Sequence, residues 1–186
     1  MSQRTRIKDF KDIQLKTGGN IVAVLNRGDG SKEYWYANNI VTNQGDRYYS
    51  ATIVGTAFPA ATSTADFKAS NWMHLGTSTT AAAKTDTGPG SSIVSGSIAL
   101  TSGYPAVNAS DVDSDNTGGN AYNIVSWGYS FGTGVANVNS INEGAVLAGS
   151  LVGNGTCLTH FLFGASFNKT SSDTLKIFVN HTFSGV

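Results

Sequence analysis

Three aspartates stand at alternate positions in a loop-like segment, and their spacing suggests a metal site. In calcium-binding loops, carboxylates spaced as Asp111, Asp113 and Asp115 point their oxygens at one hard cation. The EF-hand pattern also requires glycine at its sixth position and glutamate at its twelfth, where this chain has Asn116 and Tyr122. An acidic turn in solvent therefore remains the favoured interpretation, and Ca²⁺ binding stays an open alternative.

The cysteine and the histidines do not stand in a catalytic pattern. Cys157 lies in the apolar stretch 157–163, which predicts a buried and inert thiol rather than a nucleophile. Three histidines occupy three separate strand-like segments, without metal-ligand spacing and without a carboxylate nearby in sequence: His74, His160 and His181. No nucleophile elbow, phosphate-binding loop or dinucleotide-binding turn is present. We therefore predict no enzymatic activity and no cofactor, and no metal apart from the Ca²⁺ alternative above. A hydrolase whose catalytic residues are dispersed along the chain stays a further alternative.

An adhesion-type tripeptide is better explained as part of a turn. Arg27, Gly28 and Asp29 lie between two strand-like segments, residues 20–25 and 33–37. Glycines in such a connection provide the positive φ angles that tight hairpin turns require. We therefore predict a β-hairpin here.

Composition narrows the class of protein. The 186 residues carry 12 Lys and Arg against 12 Asp and Glu, a net charge of zero that argues against direct nucleic-acid binding. Charged residues make up 13%, about half the usual share, and 22 residues are glycine. Since no apolar run approaches the roughly 18 residues of a membrane span, we expect no membrane association and synthesis in a cytoplasm.

The pattern of strand-forming residues predicts an all-β fold. Short β-rich segments recur with turn signals between them, at 20–25, 33–37, 39–42, 71–75, 92–101, 121–131, 138–148, 158–167 and 174–183. Residues 44–54 fit either a helical turn or a strand, and 103–120 is predicted as a long turn-rich insertion. We therefore expect an antiparallel β-sandwich or jelly-roll-like domain over residues 20–186, preceded by a basic N-terminal arm at 1–19.

Alternation along the strands separates core from interface candidates. The predicted core faces consist of Trp127, Tyr129 and Phe131 in one strand and Leu175, Ile177 and Val179 in another. Consecutive aromatics at 34–36 must place rings on both faces of their strand. The interface candidates are Trp35 and Phe178 in the domain, with Arg4, Arg6, Lys8, Phe10 and Lys11 in the arm.

Four segments in fixed order resemble a family of small structural proteins of tailed bacteriophages. They are Asn-Ile-Val-Thr-Asn-Gln-Gly at 39–45, Trp-Met-His-Leu-Gly-Thr-Ser-Thr-Thr-Ala at 72–81, Ser-Ile-Asn-Glu-Gly-Ala-Val-Leu at 140–147, and Phe-Asn-Lys-Thr-Ser-Ser-Asp-Thr-Leu-Lys-Ile at 167–177. With the N-terminal hairpin, the resemblance spans about residues 20–184. The chain departs from the family at Ser78, where the pattern has glycine. It also has weaker helix propensity over 46–50, where relatives are often helical.

The resemblance implies a non-enzymatic virion protein that assembles in repeated copies and stabilises the particle. Capsid cement or decoration is the favoured place, and a neck or tail component is the alternative. The expected partners are other copies of the chain, as a homo-oligomer, and a major capsid or tail protein, after synthesis in the host cytoplasm. The alternative function is a carbohydrate- or receptor-binding module of a tail fibre or spike, using Trp35 or the loops around Trp72 and Tyr104.

Overall fold

The computed structural model describes residues 19–53, 71–99, 102–105, 124–148 and 157–182, and nearly all of them lie in β-strands. The strands are β1 (Asn20–Asn26), β2 (Lys32–Val41), β3 (Asn71–Gly76), β4 (Ser92–Ala99), β5 (Ser102–Pro105), β6 (Ile124–Phe131), β7 (Ile141–Ala148), β8 (Cys157–Phe167) and β9 (Thr174–Thr182). The helix α1 spans Asn43–Ile53. The all-β prediction is confirmed.

All nine strands join one antiparallel sheet in the order β4-β3-β7-β8-β2-β1-β9-β6-β5. The strand β2 pairs with β1 over Lys32–Asn38 and then with β8 over Asn39–Val41. It therefore divides the sheet into two parts. The first half consists of β1, β9, β6 and β5, and the second half consists of β8, β7, β3 and β4.

The sheet curls until its two edges approach each other. The edge strands β4 and β5 are consecutive in the chain and only two residues separate Ala99 from Ser102, so these Cα atoms lie within about 11 Å of each other. The strand β4 also contacts β6 of the first half. The inner face of the curled sheet therefore encloses one core. This continuous sheet confirms neither a two-sheet sandwich nor a jelly roll.

The core is formed by alternate residues of the strands, as period-two alternation requires. The predicted core face of β9 is fully buried, and in β6 the side chains of Tyr129 and Phe131 are buried while Trp127 is half-buried against the core. On β1 the buried inner side chains are Ile21, Ala23 and Leu25. The side chains predicted to form the core therefore point to the inner face of the sheet, as the alternation indicates.

Residues 43–53 form a helix, which decides between the two alternatives for this segment. The Thr42 hydroxyl oxygen accepts a hydrogen bond from the Gly45 N–H (3.1 Å), which makes Thr42 the N-cap of α1. The same hydroxyl donates to the backbone carbonyl of Cys157. The cap therefore starts the helix and fastens it to β8 at the same time.

The prediction of a long turn-rich insertion at 103–120 is wrong at its beginning, and residues 106–120 lie outside the described residues. Residues Ser102–Pro105 form β5, in register with Gly128–Val125 of β6. Proline is compatible with an edge strand because its missing N–H does not interrupt a second ladder. Within the described residues, the helix is not long and apolar enough to cross a membrane.

Replacing Gly45 by alanine tests the contact between α1 and β8. A Cβ at this position would lie 2.2 Å from the backbone oxygen of Leu158. Alanine favours a helix by about 1 kcal/mol over glycine, whereas overpacking costs about 1 to 3 kcal/mol. We therefore expect Gly45→Ala to lower the free energy of unfolding, measured by urea denaturation.

The matched control is Gly164→Ala in β8, where a Cβ meets nothing within 4 Å. This substitution should be neutral or slightly stabilising, because alanine restricts the unfolded chain more than glycine does. Equal effects of the two substitutions would contradict the close approach of α1 to β8.

Candidate functional site

An aromatic patch lies on the outer face of the first half of the sheet. The register places Val22 of β1 between Tyr36 of β2 and Phe178 of β9, and it places Val24 beside Tyr34. Both valines are buried, and the three aromatic side chains above them are half-buried. We call these five residues the outer aromatic patch. Half-exposed rings over a filled apolar layer form a surface suited to contact with another molecule.

Basic side chains border this patch. Lys176 is exposed and lies in register with Val24 on one side and Ser130 on the other. Lys32, also exposed, begins β2 beside Asn26. Partial burial raises the pKa of the Tyr36 hydroxyl, so that this phenol stays neutral at physiological pH. The surface therefore combines neutral aromatic rings with positive charge at its margin.

The two interface candidates of the domain lie on opposite faces of the sheet. Phe178 belongs to the outer aromatic patch. Trp35 is in register with Ala23 on the inner face, where its ring centroid lies 4.4 Å from that of Phe167. Trp35 is therefore a half-buried part of the core wall, and the aromatics of the 34–36 trio on the outer face are the half-buried Tyr34 and Tyr36. The five arm candidates lie outside the described residues, as do Asp111, Asp113 and Asp115.

The outer face of the second half carries a buried carboxylate that binds a loop. Glu143 of β7 has no exposed surface. Its Oε1 accepts hydrogen bonds from the backbone N–H groups of Ser78 (2.9 Å) and Ser91 (2.8 Å). Its Oε2 accepts from Gly90 N–H (2.9 Å) and from His160 Nε2 (3.0 Å). The segment 77–91, which we call the covering loop, is thus fastened at both ends to one side chain.

His160 links that carboxylate to a second one. Its Nδ1 lies 2.6 Å from Oδ2 of Asp86, which also accepts the Ala83 N–H at 2.6 Å. Burial alone would lower the pKa of His160, but hydrogen bonds to Glu143 and Asp86 and their negative charges raise it above 6.5. Each ring nitrogen therefore carries a proton, and the side chain is an imidazolium between two carboxylates.

The ionised state of Glu143 follows from the same contacts. Burial alone would raise its pKa, but hydrogen bonds from His160 and from the three backbone N–H groups outweigh burial and lower it. Gly76 makes room for this carboxylate, since a Cβ there would lie 2.2 Å from Glu143 Oε1. The carboxylate and the glycine are therefore parts of one local structure.

A second ion-pair cluster fixes the two turns at the end of the first half. Arg27 pairs with Glu33 (2.7 Å) and with Asp173 (3.0 Å). Burial alone would raise the pKa of Asp173, but hydrogen bonds from Thr170, Gly28 and Arg27 lower it to about 2. The hairpin prediction is confirmed, because β1 and β2 pair antiparallel on either side of residues 27–31. Arg27 also joins this turn to the β8–β9 turn.

His181 belongs to a buried neutral network behind α1. It contacts the Tyr49 hydroxyl through Nδ1 and the Asn39 amide through Nε2. Burial lowers its pKa to about 3, so the ring is neutral. The Asn39 amide also donates to the Thr159 hydroxyl (2.7 Å), which donates to the Ile40 carbonyl (2.8 Å). This network joins β2, β8, β9 and α1.

Two other potentially reactive side chains among the described residues, Cys157 and Lys169, are buried and have structural roles. Cys157 is buried, and burial together with the nearby Asp86 carboxylate raises its pKa to about 12, as expected of an inert thiol. Lys169 is buried and donates to the Gly132 carbonyl and to Asn137 Oδ1, both at 2.8 Å. Among the residues that the structure describes, no group of three His, Cys, Asp or Glu side chains could hold a metal ion.

The network around His160 could not be predicted from the sequence, because its members are distant in the chain. Glu143 and Asp86 lie 17 and 74 residues away from it. One local signal was present: Glu143 is the single charged residue of β7, whose eight residues are all buried. A charge in such a strand requires partners from elsewhere in the fold.

Comparison of the chain with protein-family models, with curated proteins and with solved structures finds no match.

Replacing Glu143 by glutamine tests the anchoring of the covering loop. The amide keeps the shape of the side chain but replaces an acceptor with a donor, which leaves two of the four N–H groups without a partner. Each orphaned buried donor costs about 1 to 3 kcal/mol. We therefore expect Glu143→Gln to lower the free energy of unfolding by at least about 2 kcal/mol in urea denaturation.

Glu33→Gln provides the control, since Glu33 pairs with Arg27 where both side chains are partly exposed, at 32% and 24%. Its loss should be below about 1 kcal/mol, as is usual for such pairs. Losses of similar size would contradict the anchoring role of Glu143.

Proposed function

We propose that this protein is a non-enzymatic structural protein of a tailed-phage virion that assembles in repeated copies and stabilises the particle. Capsid cement or decoration is the favoured position, and a neck or tail component is the alternative. The sequence resemblance supplies the class of protein. The observation that carries the proposal is the difference between the two outer faces of the curled sheet.

The outer face of the second half is engaged within the subunit. Both ends of the covering loop are hydrogen-bonded to Glu143, and its middle is bound to His160. The outer face of the first half instead presents the outer aromatic patch, whose three rings are half-buried. Aromatic residues are enriched where protein surfaces meet, because they bury large areas with few rotatable bonds. We assign this patch to contact with a neighbouring copy of the chain.

The residues of the resembling segments support a building-block role. Thr42 caps α1 on β8, Glu143 anchors the covering loop, and Asp173 joins two turns. Gly144 permits close packing, since a Cβ there would lie 2.4 Å from the Phe161 ring. These residues fix loops and strands in place, which is the requirement for a subunit that must present one unchanging surface to its neighbours.

Two adjacent residues of β9 separate folding from assembly. Ile177 is fully buried in the core, so Ile177→Ala should cost about 2 to 5 kcal/mol of folding stability. Phe178 is half-buried on the outer face, so Phe178→Ala should lower the melting temperature of the isolated subunit less. Its incorporation into particles should nevertheless fall more strongly, because the contact between copies loses a central ring.

The measurements are thermal melting of the isolated subunit and the copy number of each variant in purified particles. Hundreds of wild-type copies fit cement, and about a dozen fit a ring of the neck or tail. Normal incorporation of the Phe178 variant would contradict the assigned contact, and absence of the wild-type protein from particles would contradict the proposed class.

The same patch gives the alternative function a specific surface. Aromatic rings on an outer sheet face can stack on sugar rings. Tyr34 and Tyr36 provide hydroxyl groups on β2, and Lys176 lies on the other side of β1. Glycan-array binding that is lost in Tyr36→Ala, together with normal particle incorporation, would favour a carbohydrate-binding module over the structural role.

A further inference from the structure

The ends and the middle of the covering loop are held by different groups. The ends are fixed through Ser78, Gly90 and Ser91, whose backbone N–H groups all donate to Glu143. The middle is fixed through the Asp86 carboxylate, which accepts hydrogen bonds from the backbone of Ala83 and from His160. Backbone amides do not titrate at the pH values at which a histidine does. Only the contact in the middle of the loop therefore depends on the protonation of a side chain.

The geometry around His160 requires two ring protons. Its Nε2 faces Glu143 at 3.0 Å and its Nδ1 faces Asp86 at 2.6 Å, so both nitrogens must donate. A neutral imidazole has one N–H, and its second nitrogen would direct a lone pair at a carboxylate. Water relieves this repulsion only where it has access. The side chain of Glu143 is 0% exposed and that of Asp86 is 27% exposed. The neutral ring therefore keeps its proton towards Glu143 and loses Asp86.

We propose that His160 and Asp86 form a pH-sensitive latch, which holds the middle of the covering loop closed while His160 is protonated and releases it when His160 is neutral. The loop ends stay attached to Glu143 in both states. Release exposes the Asp86 carboxylate to solvent and removes the contact of residues 83–86 with β8, while the contacts of Lys84 with α1 remain.

Other titratable groups near His160 do not replace either partner. From β3, the buried His74 lies on the same face, separated from His160 by Ala145 of β7 in the register. On β8 itself, the thiol of Cys157 is kept neutral by burial and by Asp86. The opposing residue of β2 is the uncharged Ile40.

The helix side adds one charged pair, and this pair holds the loop independently of His160. The Lys84 ammonium lies 2.7 Å from Asp46 of α1, with both side chains 54% exposed. The Lys84 carbonyl also accepts the Asn43 N–H at 2.8 Å. Neither contact involves His160, so neither should change when His160 gains or loses a proton. Both contacts therefore provide a control.

The direction of the pH effect follows from the raised pKa of His160 in the closed state. Because Asp86 is one of the groups that raise this pKa, the pKa of His160 is higher in the closed state than in the open state, where the ring faces only Glu143. Closure is fully favoured below the pKa of the open state, and this advantage is lost as pH rises through the pKa of the closed state. With one proton linked to opening, protection of the 83 and 86 amides should fall about tenfold per pH unit between these two values and then level off.

The test is native-state hydrogen exchange, corrected for intrinsic exchange rates, combined with NMR titration of the His160 ring nitrogens. We expect the Ala83 and Asp86 amides to lose protection as pH rises towards the titration midpoint of His160 and to show no further loss above it. The Ser78, Gly90 and Ser91 amides should keep their protection over the same range. Both measurements use the wild-type chain and do not depend on a variant.

Asp86→Asn should remove the pH dependence. The asparagine side chain can accept a hydrogen bond from a protonated Nδ1 through its oxygen or donate one to an unprotonated Nδ1 through its NH2 group, so the latch stays closed with either form of His160. Lys84→Ala should lower protection of the same amides at every pH while the titration midpoint stays unchanged.

Three results would overturn the latch. The first is an unchanged protection of residues 83 and 86 across the titration of His160. The second is simultaneous loss of protection at the loop ends, which would mean that the whole loop opens. The third is a native His160 that titrates at its ordinary value or keeps both ring protons up to the alkaline unfolding of the protein.

Discussion

A single buried carboxylate holds together the outer side of half of this fold. Glu143 is surrounded by four N–H donors, three from the backbone of the covering loop and one from His160. A carboxylate without exposed surface is tolerable only when its acceptor capacity is filled, because the desolvation of an ion is otherwise too costly. The loop and the carboxylate therefore depend on each other, and Gly76 is needed because no side chain fits beside Oε1.

This arrangement makes the two outer faces of the curled sheet different. One face is engaged by the chain's own loop, whereas the other carries tyrosine and phenylalanine rings above Val22 and Val24. The buried polar groups fix turns, loops and the helix on the sheet, as Asp173, Lys169 and Thr42 show. Within the described residues, this difference between the two outer faces is consistent with the proposed role as a repeated part of a virion.

The parts of the fold that the sequence predicted are those determined by neighbours along a strand. Alternation assigned Leu175, Ile177 and Val179 to the core, and all three are fully buried. Alternation also required the rings of the 34–36 trio to lie on both faces of the strand. It did not determine which of these faces would point into the core. That choice depends on β1, where Ala23 leaves room for the large Trp35 ring opposite it.

Longer-range contacts explain what the sequence left undecided. The segment after Thr42 has weak helix propensity. The hydroxyl of Thr42 that caps the helix is itself held by the backbone carbonyl of Cys157, 115 residues away. The charged network at His160 joins three segments that only the folded sheet brings together. Of the outer aromatic patch, only Phe178 could be predicted as an interface residue from the sequence. The positions of its two tyrosines on the outer face follow from the register of β2 with β1.

Chemical footprinting of the subunit, free and in the assembled particle, tests whether the outer aromatic patch is the surface that contacts a neighbouring copy. Tyrosine and phenylalanine oxidation by hydroxyl radicals, read by mass spectrometry, compares Tyr34, Tyr36 and Phe178 with the exposed Lys84 segment of the covering loop. Assembly should protect the three rings and leave the loop segment as reactive as before. Equal reactivity of the three rings in the free and assembled states, or protection of the loop segment alone, would contradict it.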